Sequence, residues 1–243
     1  MHLIRKRLAM MVIAMLVAGI PALGQQSEKK PAAAAKKRDL SNDQKAIDLL
    51  RQMEEKYGSL NSVSGQFQQV REDPAFEERV ESYANFALLK PNKFRADYQP
   101  PRQSTNLITD DYFYRYIKEL KQVERYHFQG QLNAQDFNYM VLGFGVKVDD
   151  ALKVYSVKWL TDGVAKGYYG IQLVPIDSKS NLKYVTMLVT EDGLQPAQFS
   201  MEQVDGVRTT ANINLKTLQI GAKIDARQFV PDFPRDAQFV DIR

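Results

Sequence analysis

Apart from His2 the sequence has one histidine, His127, and it contains no cysteine. Those two facts remove most catalytic chemistry. Thiol nucleophiles, disulfides and thiolate metal sites need cysteine, and a His-rich metal site needs more than one imidazole. A Ser–His–Asp arrangement would have to use His127, which sits in an alternating run and reads as a solvated strand residue. No G-x-S-x-G turn presents a serine. The doublets Asp110-Asp111 and Asp149-Asp150 offer paired carboxylates. Neighbours on a strand point to opposite faces, however, and turn or helix-start chemistry accounts for both. Gly143-Phe144-Gly145 lacks the G-x-G-x-x-G spacing and follows no Rossmann strand. Tyr112, Tyr114 and Tyr116 share one strand face; such a row stacks on sugars or bases, or packs across strands of a sheet. The expectation is therefore a protein that binds and does not catalyse, with no metal and no cofactor.

The elements that must hold such a site are legible from periodicity. Ala46, Ile47, Leu49, Leu50, Met53 and Tyr57 recur at helical spacing, which predicts an amphipathic helix from about Asn42 to Tyr57. Ser41 to Gln44 fits a capping box, and Gly58 ends the helix. The period then becomes two. In "ERVESYANFALLK", Val80, Ser82, Ala84, Phe86, Leu88 and Lys90 share one face. Alternation returns in Phe94/Ala96/Tyr98, "YFYRYIKE", "LKQVERYHF", "YSVKWL", "YYGIQLVP", "LKYVTMLVT", "AQFSMEQ" and "RTTANINLKTLQI". Asp162-Gly163, Asp192-Gly193 and Asp205-Gly206 punctuate them as hairpin turns. About ten antiparallel strands predict one large sheet, strongly curled or closed. Asn133 to Asp150 breaks the pattern; a short helix with Phe137, Met140 and Val141 is expected there, packed into the concave face as a plug or lid.

The N-terminus has its own logic. Arg5, Lys6 and Arg7 precede a 13-residue apolar run, Leu8 to Ile20, then "PALGQ". This predicts a secretory signal, residues 1–24, cleaved after Gly24; the run is shorter than the roughly 20 residues that span a bilayer. Residues 25–39 are polar, basic and low in complexity, and read as a flexible tether that is either a solvated linker or touches an anionic membrane surface. The chain is formally +4. Signal and tether each contribute +3, so residues 40–243 carry −2. The folded body has no excess of basic charge, which argues against nucleic acid. About 200 residues suffice for one core.

The order of these pieces resembles a known family. The signal and capped helix precede "SVSGQFQQ", "LLKPNKFRADYQPP" and "LITDDYFYRYIKELKQVE". The helical insert follows, then "LKYVTMLVTEDGLQPAQFSMEQVDGVRTTANI" and the ending "FVPDFPRDAQFVDIR". From Ala46 to Asp241 the chain resembles the LolA family of periplasmic outer-membrane lipoprotein carriers. The resemblance implies a mainly β fold: an incomplete antiparallel β-barrel with an N-terminal helix and an internal helical lid over an apolar cavity. It implies a monomer that accepts triacylated lipoproteins from an inner-membrane ABC transporter complex and passes them to an outer-membrane receptor. Phe67, Phe86, Leu88, Phe94, Ala96 and Tyr98 would line the sheet side of the acyl-chain cavity, and Met140, Val141 and Leu142 the lid side. Lys90 holds the position where members carry an inward arginine, so it would latch the lid; otherwise it snorkels at a strand end. Ala96 stands where the family often has Trp, and Asp110-Asp111 replaces its Asp-Gly turn. Replacing Leu88 or Phe94 with Glu is expected to abolish acyl binding without unfolding. Two alternatives stay open. One is a periplasmic lipid-binding sensor or regulatory domain on the same half-barrel; the other is a secreted enzyme acting on lipid or glycan.

Overall fold

The computed structural model describes residues 39–127, 143–145 and 147–242. The expected signal, the tether up to Arg38, and Met140, Val141 and Leu142 of the expected lid lie outside the described residues.

Helix α1 (Gln44–Tyr57) buries Ala46, Leu49, Leu50, Met53 and Tyr57, the stripe that the helical spacing predicts. Gly58 caps its end, its N–H donating to the Glu54 carbonyl at 2.7 Å. The capping box does not form. The N-cap is Asp43, and no side chain caps the helix. Gln44 Nε2 turns to Asp48 instead, and Ser41 contacts Lys158. The reason is tertiary. Asn42 Oδ1 accepts from the Val157 N–H and Asp43 Oδ2 from the Trp159 N–H, both at 2.9 Å, while the Asp43 N–H donates to the Val157 carbonyl. The helix start is an attachment to a strand edge. Asp39 joins it, its carboxylate accepting from Lys158 at 2.7 Å.

The sheet is built from two meanders. The first comprises β1 (Ser62–Asp73), β2 (Glu78–Leu89), β3 (Lys93–Tyr98), β4 (Ser104–Ile108), β5 (Tyr112–Ile117) and β6 (Gln122–His127). A short helix, α2 (Val148–Ala151), leads to the second: β7 (Tyr155–Leu160), β8 (Tyr168–Pro175), β9 (Leu182–Thr190), β10 (Pro196–Gln203) and β11 (Arg208–Ile213). Antiparallel pairing of β11 with β1 joins them, with Phe67 opposite Ile213. Then come β12 (Gln219–Ile220), paired with β1, and β13 (Gln238–Ile242), parallel to β6. The order is β13-β6-β5-β4-β3-β2-β1-β11-β10-β9-β8-β7, so the sheet is open, with β13 and β7 as its edges.

Three strands depart from the expected count. β4 does not alternate, because both its faces are covered: Ile108 belongs to the concave core and Leu107 to a second cluster on the convex side. "RTTANINLKTLQI" is two strands, divided by a turn in which the Thr217 N–H donates to the Asn214 carbonyl. β13 pairs with a strand 116 residues away, Arg125 bonding Asp241; local pattern carries no trace of that.

The two faces of the sheet are satisfied differently. The concave face and α1 share one apolar core. On the convex side, Ala87, Leu107, Tyr114 and Val123 form an apolar patch, and the segment leading to β13 crosses it with Phe229 and Phe233. Elsewhere the convex face carries amides and hydroxyls that pair with one another, Gln66–Asn85, Gln198–Asn212 and Ser200–Thr210 at 2.8–3.0 Å. Such a face meets water at no cost.

Candidate functional site

Strand parity sends every second residue of β1, β2 and β3 into the concavity. Phe67, Phe86, Leu88, Phe94, Ala96 and Tyr98 meet there, and all six are buried in the core shared with α1. The rings make a chain: Phe67 to Phe86 at 5.8 Å, Phe67 edge-on to Tyr98 at 5.9 Å, and Phe86 stacked with Phe94 at 6.4 Å. The structure therefore brings together all six sheet-side residues that the sequence nominates. Leu88 is 2 % and Phe94 1 % exposed. A glutamate at either would bury a carboxylate, so the expectation that the fold keeps its stability does not hold; stability should fall.

The α1 helix shares one apolar core with this face, packs on β7 and α2, and is tied down at its C-terminal end. The last carbonyls of a helix have no intrahelical partner. Lys90 Nζ, half-buried at the end of β2, donates to the Tyr57 carbonyl at 2.9 Å. Burial lowers the Lys90 pKa, and a cation at a helix C-terminus meets the negative end of its dipole. On the other side, Tyr57 Oη and Lys56 Nζ both donate to the Gly193 carbonyl in the β9–β10 turn, at 2.8 and 2.6 Å. The helix end is thus held by groups from both halves of the sheet.

Gly143-Phe144-Gly145 wedges between α1 and the sheet, a role that its sequence spacing does not announce. Phe144 is buried against Phe199, centroids 6.4 Å apart. Gly145 has φ +81°, and a Cβ there would meet the Gly58 nitrogen and Tyr57 carbonyl carbon at 2.6 Å. A Cβ on Gly143 would meet Phe199 at 2.7 Å. The glycines are what let backbone touch backbone while Phe144 enters the core. The signal was present as small–large–small. Nearby, α2 is fastened to α1 by Asp149 with Arg51, and by the Val148 N–H donating to Glu54; Asp150 pairs with Lys153. Both carboxylates of that doublet hold structure.

The concave face also carries polar groups. Tyr98 Oη donates to Gln69 Oε1 at 2.8 Å, and both residues are buried. Burial raises the Tyr98 pKa, against the opposing charge of Arg115. Tyr126 is pushed up to about 12, by burial first and then by Glu124. Among the described residues no cluster of three His, Asp or Glu side chains could hold a metal ion. His127 is exposed and lies against Tyr112, the rings tilted by 46° with centroids 4.7 Å apart. Tyr112, Tyr114 and Tyr116 lie on the convex side, where Tyr114 and Tyr116 pack on Phe233 at 5.7 and 5.8 Å.

Residues 58–232 match the family described as "Outer membrane lipoprotein carrier protein LolA". The chain is 25% identical over 171 residues to an outer-membrane lipoprotein carrier protein from Methylococcus capsulatus, covering 70% of this chain and 77% of that protein. Among solved structures, a conserved protein from Thermus thermophilus superposes with a TM-score of 0.51 at 13% identity, over 82% of this chain and 100% of that one. A LolA superfamily protein from Nitrosomonas europaea gives a TM-score of 0.40 at 12% identity, over 76% of this chain and 96% of that one.

Proposed function

Since the chain belongs to the LolA family of outer membrane lipoprotein carrier proteins, we propose that it is a periplasmic carrier with no catalytic step. It receives the acyl chains of lipoproteins released from the inner membrane by an ABC transporter complex. It then delivers them to an outer-membrane receptor. The observation that carries this reading is the buried aromatic chain Phe67–Phe86–Phe94, in one core with a helix whose end is held beside β2 by the Lys90–Tyr57 bond.

Magnitudes say how such a site would work. Each buried methylene contributes about 0.8 kcal/mol, whereas one hydrogen bond contributes about 1 kcal/mol net. The Lys90 bond alone therefore does not keep an acyl chain out. A larger opposition to cargo comes from the apolar stripe of α1, which already shares the core with that face. Loading on this reading is an exchange in which acyl carbons take over apolar contacts of α1, and the Lys90 bond adds to what must be released.

Native mass spectrometry of the periplasmic protein, with extraction of what travels with it, tests the reading. Acylated lipoprotein, or fatty acyl chains at about one site per chain, is the expected result. A ligand-free protein that also takes up no lipoprotein from inner-membrane vesicles would overturn it.

A further inference from the structure

One charged residue on the concave face, Arg115, has an ion pair but no side-chain hydrogen bond among the described residues. Arg115 lies on β5 two positions from Phe113, which belongs to the concave core, so it points inward. Register places it in a row across four strands: Ala96 opposite Asn106, Asn106 opposite Arg115, Arg115 opposite Glu124. Its charge eases the ionisation of both Tyr98 and Tyr126, which fits that position. Arg115 is 8 % exposed. Its ion-pair partner is Glu124, and at 3.7 Å the two are too far apart for a hydrogen bond. Among the described residues no hydrogen bond reaches the guanidinium. A buried arginine carries five N–H donors in a fixed fork. None of the Arg115 nitrogens is among the buried polar atoms without a partner, so they keep contact with solvent and can be reached by a ligand, and a buried ion pair is weak evidence of stabilisation by itself.

Resting on the carrier reading, we propose that Arg115 is the headgroup subsite of the cavity, and that it donates to the ester carbonyls joining acyl chains to a glyceryl group. The choice of a neutral acceptor follows from Glu124. With opposite charges side by side the row is donor-rich without being cationic, so it fits carbonyl oxygens and disfavours phosphate. The aromatic chain takes the hydrocarbon on one side of this row.

The test compares matched ligands on the purified full-length protein by calorimetric titration: 1,2-dioctanoylglycerol, its 1,2-dioctyl ether analogue, and a cysteine lipopeptide bearing the same diacylglyceryl group. Two charge-assisted hydrogen bonds present only in the esters predict a preference of about tenfold or more over the ether. The comparison needs no variant. In Arg115→Met/Glu124→Gln, which strands no buried charge, the ester-to-ether ratio should fall to near one. Tighter binding of the lipopeptide than of the free diacylglycerol assigns the ester to lipoprotein; the reverse order assigns it to free lipid, and both support the subsite. Equal binding of ester and ether by the unaltered protein overturns the subsite alone, as does stronger binding of a dioctanoyl phosphatidic acid. Failure to bind any of them overturns the carrier reading with it.

Discussion

Lys90 stands where two effects oppose each other. Burial disfavours its charge, and the Tyr57 carbonyl compensates. Lys90→Leu removes both the penalty and the bond, so global stability should change by less than about 1 kcal/mol. The local effect should be larger. Amides at the C-terminal end of α1 are expected to exchange about fivefold faster, and, on the proposed carrier function, cargo to be held more tightly. Unchanged exchange at residues 54–58 would show that the bond holds nothing. At this scale the sequence is informative where parity suffices: Phe86, Leu88 and Lys90 fall on one face of β2 by counting. Arg115 falls on one face with Phe113 by the same counting, but its role is not readable there. What isolates it is the separation from Glu124, which depends on two strands' side-chain geometry.

Among the elements, the segment between β12 and β13 has the clearest energetic role. Phe229 is 4 % exposed over the convex patch of Ala87, Leu107, Tyr114 and Val123. Phe229→Ala should cost about 3 kcal/mol, measured by urea denaturation, and should raise binding of an apolar dye by uncovering that patch. A cost below about 1 kcal/mol would mean that the segment only rests there. Element existence is largely legible. The helical stripe of α1 and the alternation of β2, β9 and β10 follow from local periodicity. β4 is not, since alternation signals one wet face and β4 has none. The start of α1 departs from expectation for a related reason. Ser41 and Gln44 are good capping residues in isolation, but Asn42 and Asp43 answer to β7, over a hundred residues away.

For the molecule as a whole, buried phenols set an alkaline limit. Tyr126 is pushed up to about 12, and Tyr98 is raised as well, whereas an unfolded chain releases these protons near pH 10. Above that value the folded state holds more protons than the unfolded one. Stability is therefore full below about pH 10 and falls as pH climbs toward 12. Tyr126→Phe should flatten that decline in urea midpoints between pH 8 and 11, with little change at pH 8, because among the described residues the Tyr126 hydroxyl reaches only Glu124, at 3.5 Å. An unaltered slope would assign the limit elsewhere. The open sheet itself has a further consequence at β7. An uncovered strand edge is a growing end: any second strand that docks there exposes an edge of its own. Here the Val157 and Trp159 donors are taken by an amide and a carboxylate oxygen, groups that accept a bond without extending the ladder. Asn42 and Asp43 behave as chain-stopping end groups do in a polymerisation, so at this edge the sheet is a terminated oligomer of strands and has no living end from which a fibre could propagate.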